Sequence, residues 1–112
     1  EGESHFEDAE LSFTLADFAP PAPPISVSEA MAADTVAVIS SPAGWYGDWH
    51  PAPRRQVMFM LVGELEVQVS DGQVKRFRAG DVFLVEDTTG KGHVSTVVGD
   101  VRCFIANVPL TE

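Results

Sequence analysis

From residue 35 onward the chain alternates apolar and polar residues in short runs, each closed by turn-forming residues. No window of a dozen residues keeps a helical period. Because side chains alternate sides along a strand, this pattern predicts strands with one buried face. The runs are Thr35 to Ser40, Val57 to Val62, Leu65 to Ser70, Gln73 to Arg78, Val82 to Glu86, His93 to Val98 and Val101 to Val108. Between them lie Ser41-Pro42-Ala43-Gly44, Gly63-Glu64, Asp71-Gly72, Ala79-Gly80-Asp81 and Gly99-Asp100. Asp71-Gly72 predicts a two-residue type I′ hairpin, with positive φ at both central positions. Short strands so regularly punctuated build an all-β antiparallel barrel or sandwich, and 112 residues suffice for one such domain.

Residues 1–34 read differently. Prolines at 20, 21, 23 and 24 oppose both helix and central strand, so the segment is expected to be an extended, polyproline-like strap ahead of a barrel domain at 35–112. Phe6, Leu11, Phe13, Leu15 and Phe18 nevertheless call for burial, either on the strap's own barrel or on a second copy. His5, amid four acidic residues, reads as a solvated terminal side chain.

The net charge of −10 argues against nucleic acid or an anionic membrane as partner, since both are bound through basic patches. The single cysteine, Cys103, lies in the apolar run VRCFIANV and reads as a buried, inert thiol. One cysteine fits a reducing compartment, and neither a membrane-length apolar run nor a signal-peptide pattern is present, so a cytoplasmic location is expected. The chain opens on Glu1 without a methionine, which leaves room for upstream residues.

Two stretches carry the chemistry. In GWYGDWHPAPRRQVMFMLVG, residues 44 to 63, the order Gly44, His50, Ala52, Gln56, Gly63 resembles the first cupin motif, which runs Gly, five residues, His, one residue, His, three residues, Glu, six residues, Gly. Ala52 stands for the second His and Gln56 for the Glu. In GDVFLVEDTTGKGH, residues 80 to 93, the second cupin motif is approximated: Glu86 stands for its Pro, Thr88 for its Gly, and its His arrives two residues late as His93. The resemblance implies a small antiparallel, jelly-roll-like β-barrel (double-stranded β-helix) and, because N-terminal strands of small cupins often cross to a second protomer, a homodimer.

If the strand ran unbroken through Pro51 and Pro53, His50, Ala52, Arg54, Gln56, Met58 and Met60 would share one face, which the cupin pattern places inside the barrel. His93, Ser95 and Val97 would face the same cavity. As a metal site, His50, Gln56 and His93 would be the ligands for a divalent ion such as Zn, Ni, Fe or Mn; Ala52 cannot ligate, and Arg54 would oppose a cation. As a metal-free site, His50 and His93 would move protons and Gln56 would orient a substrate oxygen. Arg54 would bind an anionic group, with Trp49, Tyr46 and Met58 lining the pocket. That arrangement suits an isomerase, lyase, dehydratase or cyclase acting on a small anionic organic molecule. A non-catalytic binding or sensor module and a metal-dependent dioxygenase are the alternatives. Whether Glu86 or Asp87 enters the site stays open at this point. The loop EDTTGKG, with glycines at 90 and 92, reads as a mobile lid, and only weakly as a phosphate cradle.

Overall fold

The computed structural model describes residues 2–111, and among these every regular element is a strand. The strands are β1 (Phe13–Ala16), β2 (Ile25–Ser28), β3 (Ala37–Ser41), β4 (Tyr46–His50), β5 (Gln56–Val62), β6 (Glu64–Val69), β7 (Val74–Arg78), β8 (Val82–Val85), β9 (His93–Val98) and β10 (Cys103–Pro109). Two four-stranded antiparallel sheets, ordered β3-β10-β5-β8 and β4-β9-β6-β7, form the barrel, while β1 and β2 pair only with each other. The inner residues of both sheets meet in a core of Met60, Leu65, Val67, Val97, Cys103 and Ile105. Each belongs to the inward-facing set of its strand, as the alternation requires.

Three local structures depart from the sequence reading. The prolines at 20 to 24 do not lay out a strap; they occupy the connection between β1 and β2, which form a short hairpin in the register Phe13↔Ser28 to Ala16↔Ile25. Proline is excluded from the middle of a sheet and tolerated in the turn beside it. The condition that one strand run unbroken from His50 to Gln56 is not met: the chain breaks at Pro51 and Pro53, so that β4 ends in one sheet and β5 begins in the other. The hairpin at Asp71-Gly72 is present, but only Gly72 has positive φ (98°), and its N–H donates to the Val69 carbonyl at 3.0 Å. That is a turn followed by a left-handed glycine and not the type I′ form.

Residues 2–9 run across one end of the barrel. Ser4 is buried there, its hydroxyl donating to the Gly92 carbonyl at 2.7 Å and accepting from the Ser70 N–H at 2.7 Å. Its own N–H donates to the Ser70 hydroxyl, and its carbonyl accepts from the Asp71 N–H at 3.2 Å. Phe6 packs on the core and edge-to-face on Phe77, which stacks on Phe83. Leu11, Phe13, Leu15 and Phe18 stay exposed. Among the described residues no helix is long and apolar enough to cross a membrane.

Candidate functional site

The last residue of β4 and the first of β9 are both histidines, and the two strands pair there, His50 opposite His93. Their rings lie 4.7 Å apart at 58°. Gly92 makes this approach possible. It is buried with φ at +81°, and a Cβ on it would run into the His50 carbonyl and the Pro51 nitrogen. Only glycine lets the loop pass so close in that conformation.

Each imidazole is tied at Nδ1. The His93 nitrogen lies 2.6 Å from Asp87 Oδ2, both side chains being about 15% exposed, and the His50 nitrogen lies 2.6 Å from the Asp48 carbonyl. A carboxylate and a carbonyl only accept, so both Nδ1 atoms carry a hydrogen, and in the neutral form of each ring the lone pair falls on Nε2. Asp87 is positioned in turn by its backbone: its carbonyl accepts from the N–H of buried Ala52 at 2.9 Å. The backbone at this motif position therefore anchors the loop that carries Asp87. Glu86 is held differently, bonded to Arg55 at 2.7 Å. Of the two loop carboxylates, Asp87 reaches the histidine.

His93 and Asp87 stand on the wall of a cavity of about 590 Å³ inside the barrel. Its floor is apolar, built from residues such as Met58, Leu65, Val67, Phe83 and Ile105, with Ser95 beside His93. The N-terminal segment, including His5, closes one side.

Of the residues expected at the site, His93 and Met58 line this cavity and His50 lies beside His93 with its ring tilted to it. Gln56 is buried at the start of β5, between Val85 and Pro109, and is not among the lining residues. Arg54 is exposed in the β4–β5 connection, also outside the cavity. Trp49, likewise off the wall, carries the Lys91 ammonium 4.1 Å from its ring centroid, and exposed Tyr46 reaches Asp48 at 3.4 Å. The break between β4 and β5 explains this dispersal, because the shared face assumed for residues 50 to 60 required one continuous strand. Ser4 and the lining by Phe77, Phe83 and His5 were not expected; their partners are far away in sequence, and no local pattern announces them.

The donor set does not fit a catalytic metal. Asp87 is engaged with His93, Gln56 lies off the cavity wall, and among the described residues no group of three or more His, Cys, Asp or Glu side chains is arranged to hold an ion. Two imidazoles fall short of the three or four ligands such an ion takes. Cys103, fully buried in β10, has its thiol pKa pushed up by burial, which keeps it protonated and unreactive.

No family model and no curated protein matches the chain. Solved structures do. A cupin domain from Bordetella pertussis aligns with a TM-score of 0.56 at 13% identity, over 96% of this chain and all of that one. A cupin 2 conserved barrel domain protein from Salinispora arenicola aligns at 0.53 and 20% identity, over 90% of this chain and 76% of that one. The DMSP lyase DddQ from Ruegeria pomeroyi aligns at 0.53 and 23% identity, over 89% of this chain but only 47% of that one. At such identities the likeness is one of fold. Two facing antiparallel sheets, the strand order and these likenesses together give the chain the cupin fold, the double-stranded β-helix.

Proposed function

We propose that the cavity is a metal-independent acid–base site for a small organic molecule, of the kind that serves a lyase, isomerase, dehydratase or cyclase. The His93–Asp87 pair at the cavity wall carries this reading. With Nδ1–H donated to Asp87, Nε2 of His93 is the atom that takes a proton from a substrate carbon or oxygen, and the carboxylate offsets the charge of the imidazolium that forms. His50, similarly oriented, is the neighbouring acid or relay. The apolar floor excludes water from the substrate's body, and Ser95 offers a hydroxyl to its polar end. The likeness to a structure named as a DMSP lyase supports a lyase among these reactions. An anion-binding role for Arg54 loses its basis, because that guanidinium stands outside the cavity.

The test is a panel of small organic acids, hydroxy acids and betaines incubated with the protein in the presence of a chelator and followed by NMR for conversion. Turnover that survives chelation and falls by roughly 10²- to 10⁴-fold in His93→Ala is the expected result. Ligand binding without conversion would make the barrel a binding module, and activity lost on chelation and restored by a divalent ion would return the dioxygenase-type reading. The same protein, purified without a tag and analysed for elements, should carry far less than one metal ion per chain.

A further inference from the structure

The wall of the barrel cavity carries charge of one sign. Its carboxylates are Glu3, Glu7 and Asp8 on the N-terminal segment and Glu86 and Asp87 on the loop after β8, against a single ammonium, Lys75. The imidazoles of His5 and His93 are the other titratable groups there. Asp8 is engaged with Lys75 at 3.4 Å, Glu86 with Arg55 and Asp87 with His93, and Glu3 and Glu7 add negative charge beyond these pairs. A cleft lined by one sign of charge concentrates ions of the other sign and repels its own. The anionic substrate expected from Arg54 therefore lacks its guanidinium and meets an opposing field.

Aromatic rings stand among these charges. Phe6, Phe77 and Phe83 all line the cavity, brought together from the N-terminal segment and from β7 and β8, the edge strands of the two sheets. Phe77 stacks on Phe83 with 4.0 Å between centroids and meets Phe6 edge-on at 6.3 Å. The Lys75 ammonium stands over the Phe6 ring, 5.6 Å from its centroid, while it holds Asp8. A ring face attracts a cation electrostatically, and more strongly as water is excluded. The fold thus already sets one cation between an aromatic ring and a carboxylate at this wall. Core packing alone calls for the rings and has no use for the acidic residues around them.

We propose that the cavity takes a small organic cation, an alkylated ammonium compound, and that Phe6 and the carboxylates of the N-terminal segment select it. This rests on the reading of the cavity as an acid–base site and names the substrate class of that site. The alkyl groups of such a ligand suit the apolar floor at Met58, Leu65 and Ile105, and its charge suits the rings and the carboxylates. Lys75 occupies the Phe6 ring and Asp8 in the ligand's absence, so it competes with the ligand for both.

Three probes of one shape test this: choline, the neutral tert-butylethanol in which carbon replaces the quaternary nitrogen, and the tert-butylacetate anion. Each is titrated by NMR into the parent protein and into His93→Ala, where binding is read free of conversion. Choline should bind at least about 10-fold tighter than the alcohol in both proteins, and the anion weakest. Raising salt from about 50 to about 500 mM should weaken choline and leave the alcohol unchanged. Phe6→Leu, which keeps an apolar side chain and removes the ring, should bring choline down towards the alcohol, and Lys75→Met should tighten it. Equal or tighter binding of the alcohol or the anion would overturn the proposal, as would no binding of choline at millimolar concentration. A preference for choline indifferent to both Phe6→Leu and Lys75→Met would overturn the part given to this wall. Failure of the acid–base reading looks different: choline is preferred in both proteins, yet no compound is converted by the parent.

Discussion

Replacing Gly92 by alanine separates two costs that are usually confounded. Gly92 and Gly99 have nearly the same left-handed backbone, φ +81° and +79°, but a Cβ at Gly99 meets nothing within 4 Å, whereas at Gly92 it strikes the His50 carbonyl and the Pro51 nitrogen. Gly99→Ala therefore measures the conformational cost alone, about 1–2 kcal/mol. Gly92→Ala adds a collision with backbone on both β4 and the chain leaving it, which no rotamer change can relieve, and overpacking of that sort costs about 1–3 kcal/mol more. A domain of this size loses roughly 4 °C of melting temperature per kcal/mol, so Gly99→Ala should melt about 4–8 °C below the parent and Gly92→Ala about 8–20 °C below it. Denaturant unfolding of the three proteins gives the free energies, and NMR of the two imidazoles reports whether His50 and His93 have moved apart. Equal destabilisation by the two substitutions, or unshifted ring resonances in a strongly destabilised Gly92→Ala, would refute the close approach as described.

Ser4→Ala removes a hydroxyl bonded to both the Gly92 carbonyl and the Ser70 N–H, leaving two polar groups without their partner at a cost of about 1–3 kcal/mol; amide exchange over residues 2–9 should accelerate, and unchanged exchange would refute the latch. Cys103 should react with a thiol reagent only as fast as the protein unfolds, and labelling of the native protein at the rate of a free thiol would contradict its burial. The same thiol gives a signed pH dependence. Its folded pKa is raised, so the unfolded chain releases the proton first as pH rises. The stabilisation is therefore whole below the unfolded thiol's pKa and is lost on the alkaline side as pH climbs through the folded value, a loss that Cys103→Ala should abolish in alkaline melts.

What could be read from the sequence was what is locally encoded. β5 to β10 follow runs rich in Val, Ile and Phe bounded by glycine, and their existence needs only alternation and turn chemistry. β4 escaped notice because Tyr-Gly-Asp-Trp-His has no β-branched residue; it is a strand because β9 pairs with it. β1 and β2 were hidden by the prolines between them, which read as an extended strap and serve as the hairpin's connection. The motif spacing singled out His50 and His93, which the fold brings side by side, while the displacement of Arg54 and Gln56 came from a chain that changes sheets between Pro51 and Pro53. Asp87 was one of two carboxylates the loop offered, and the choice between them was made by Ala52 and Arg55 across the fold.

The placement of Ser4 has a practical corollary. Gly2 lies on the cavity wall against Gly90, so an affinity tag joined at the front would start beside the cavity. The other terminus leaves from beside Ala32 and Ala33, where Thr111 and Leu110 are tied to the chain leaving β2. A tag at the front would thus crowd the cavity, and one at the back the chain that leaves β2. Ligand screening calls for a tag at the back, or for none.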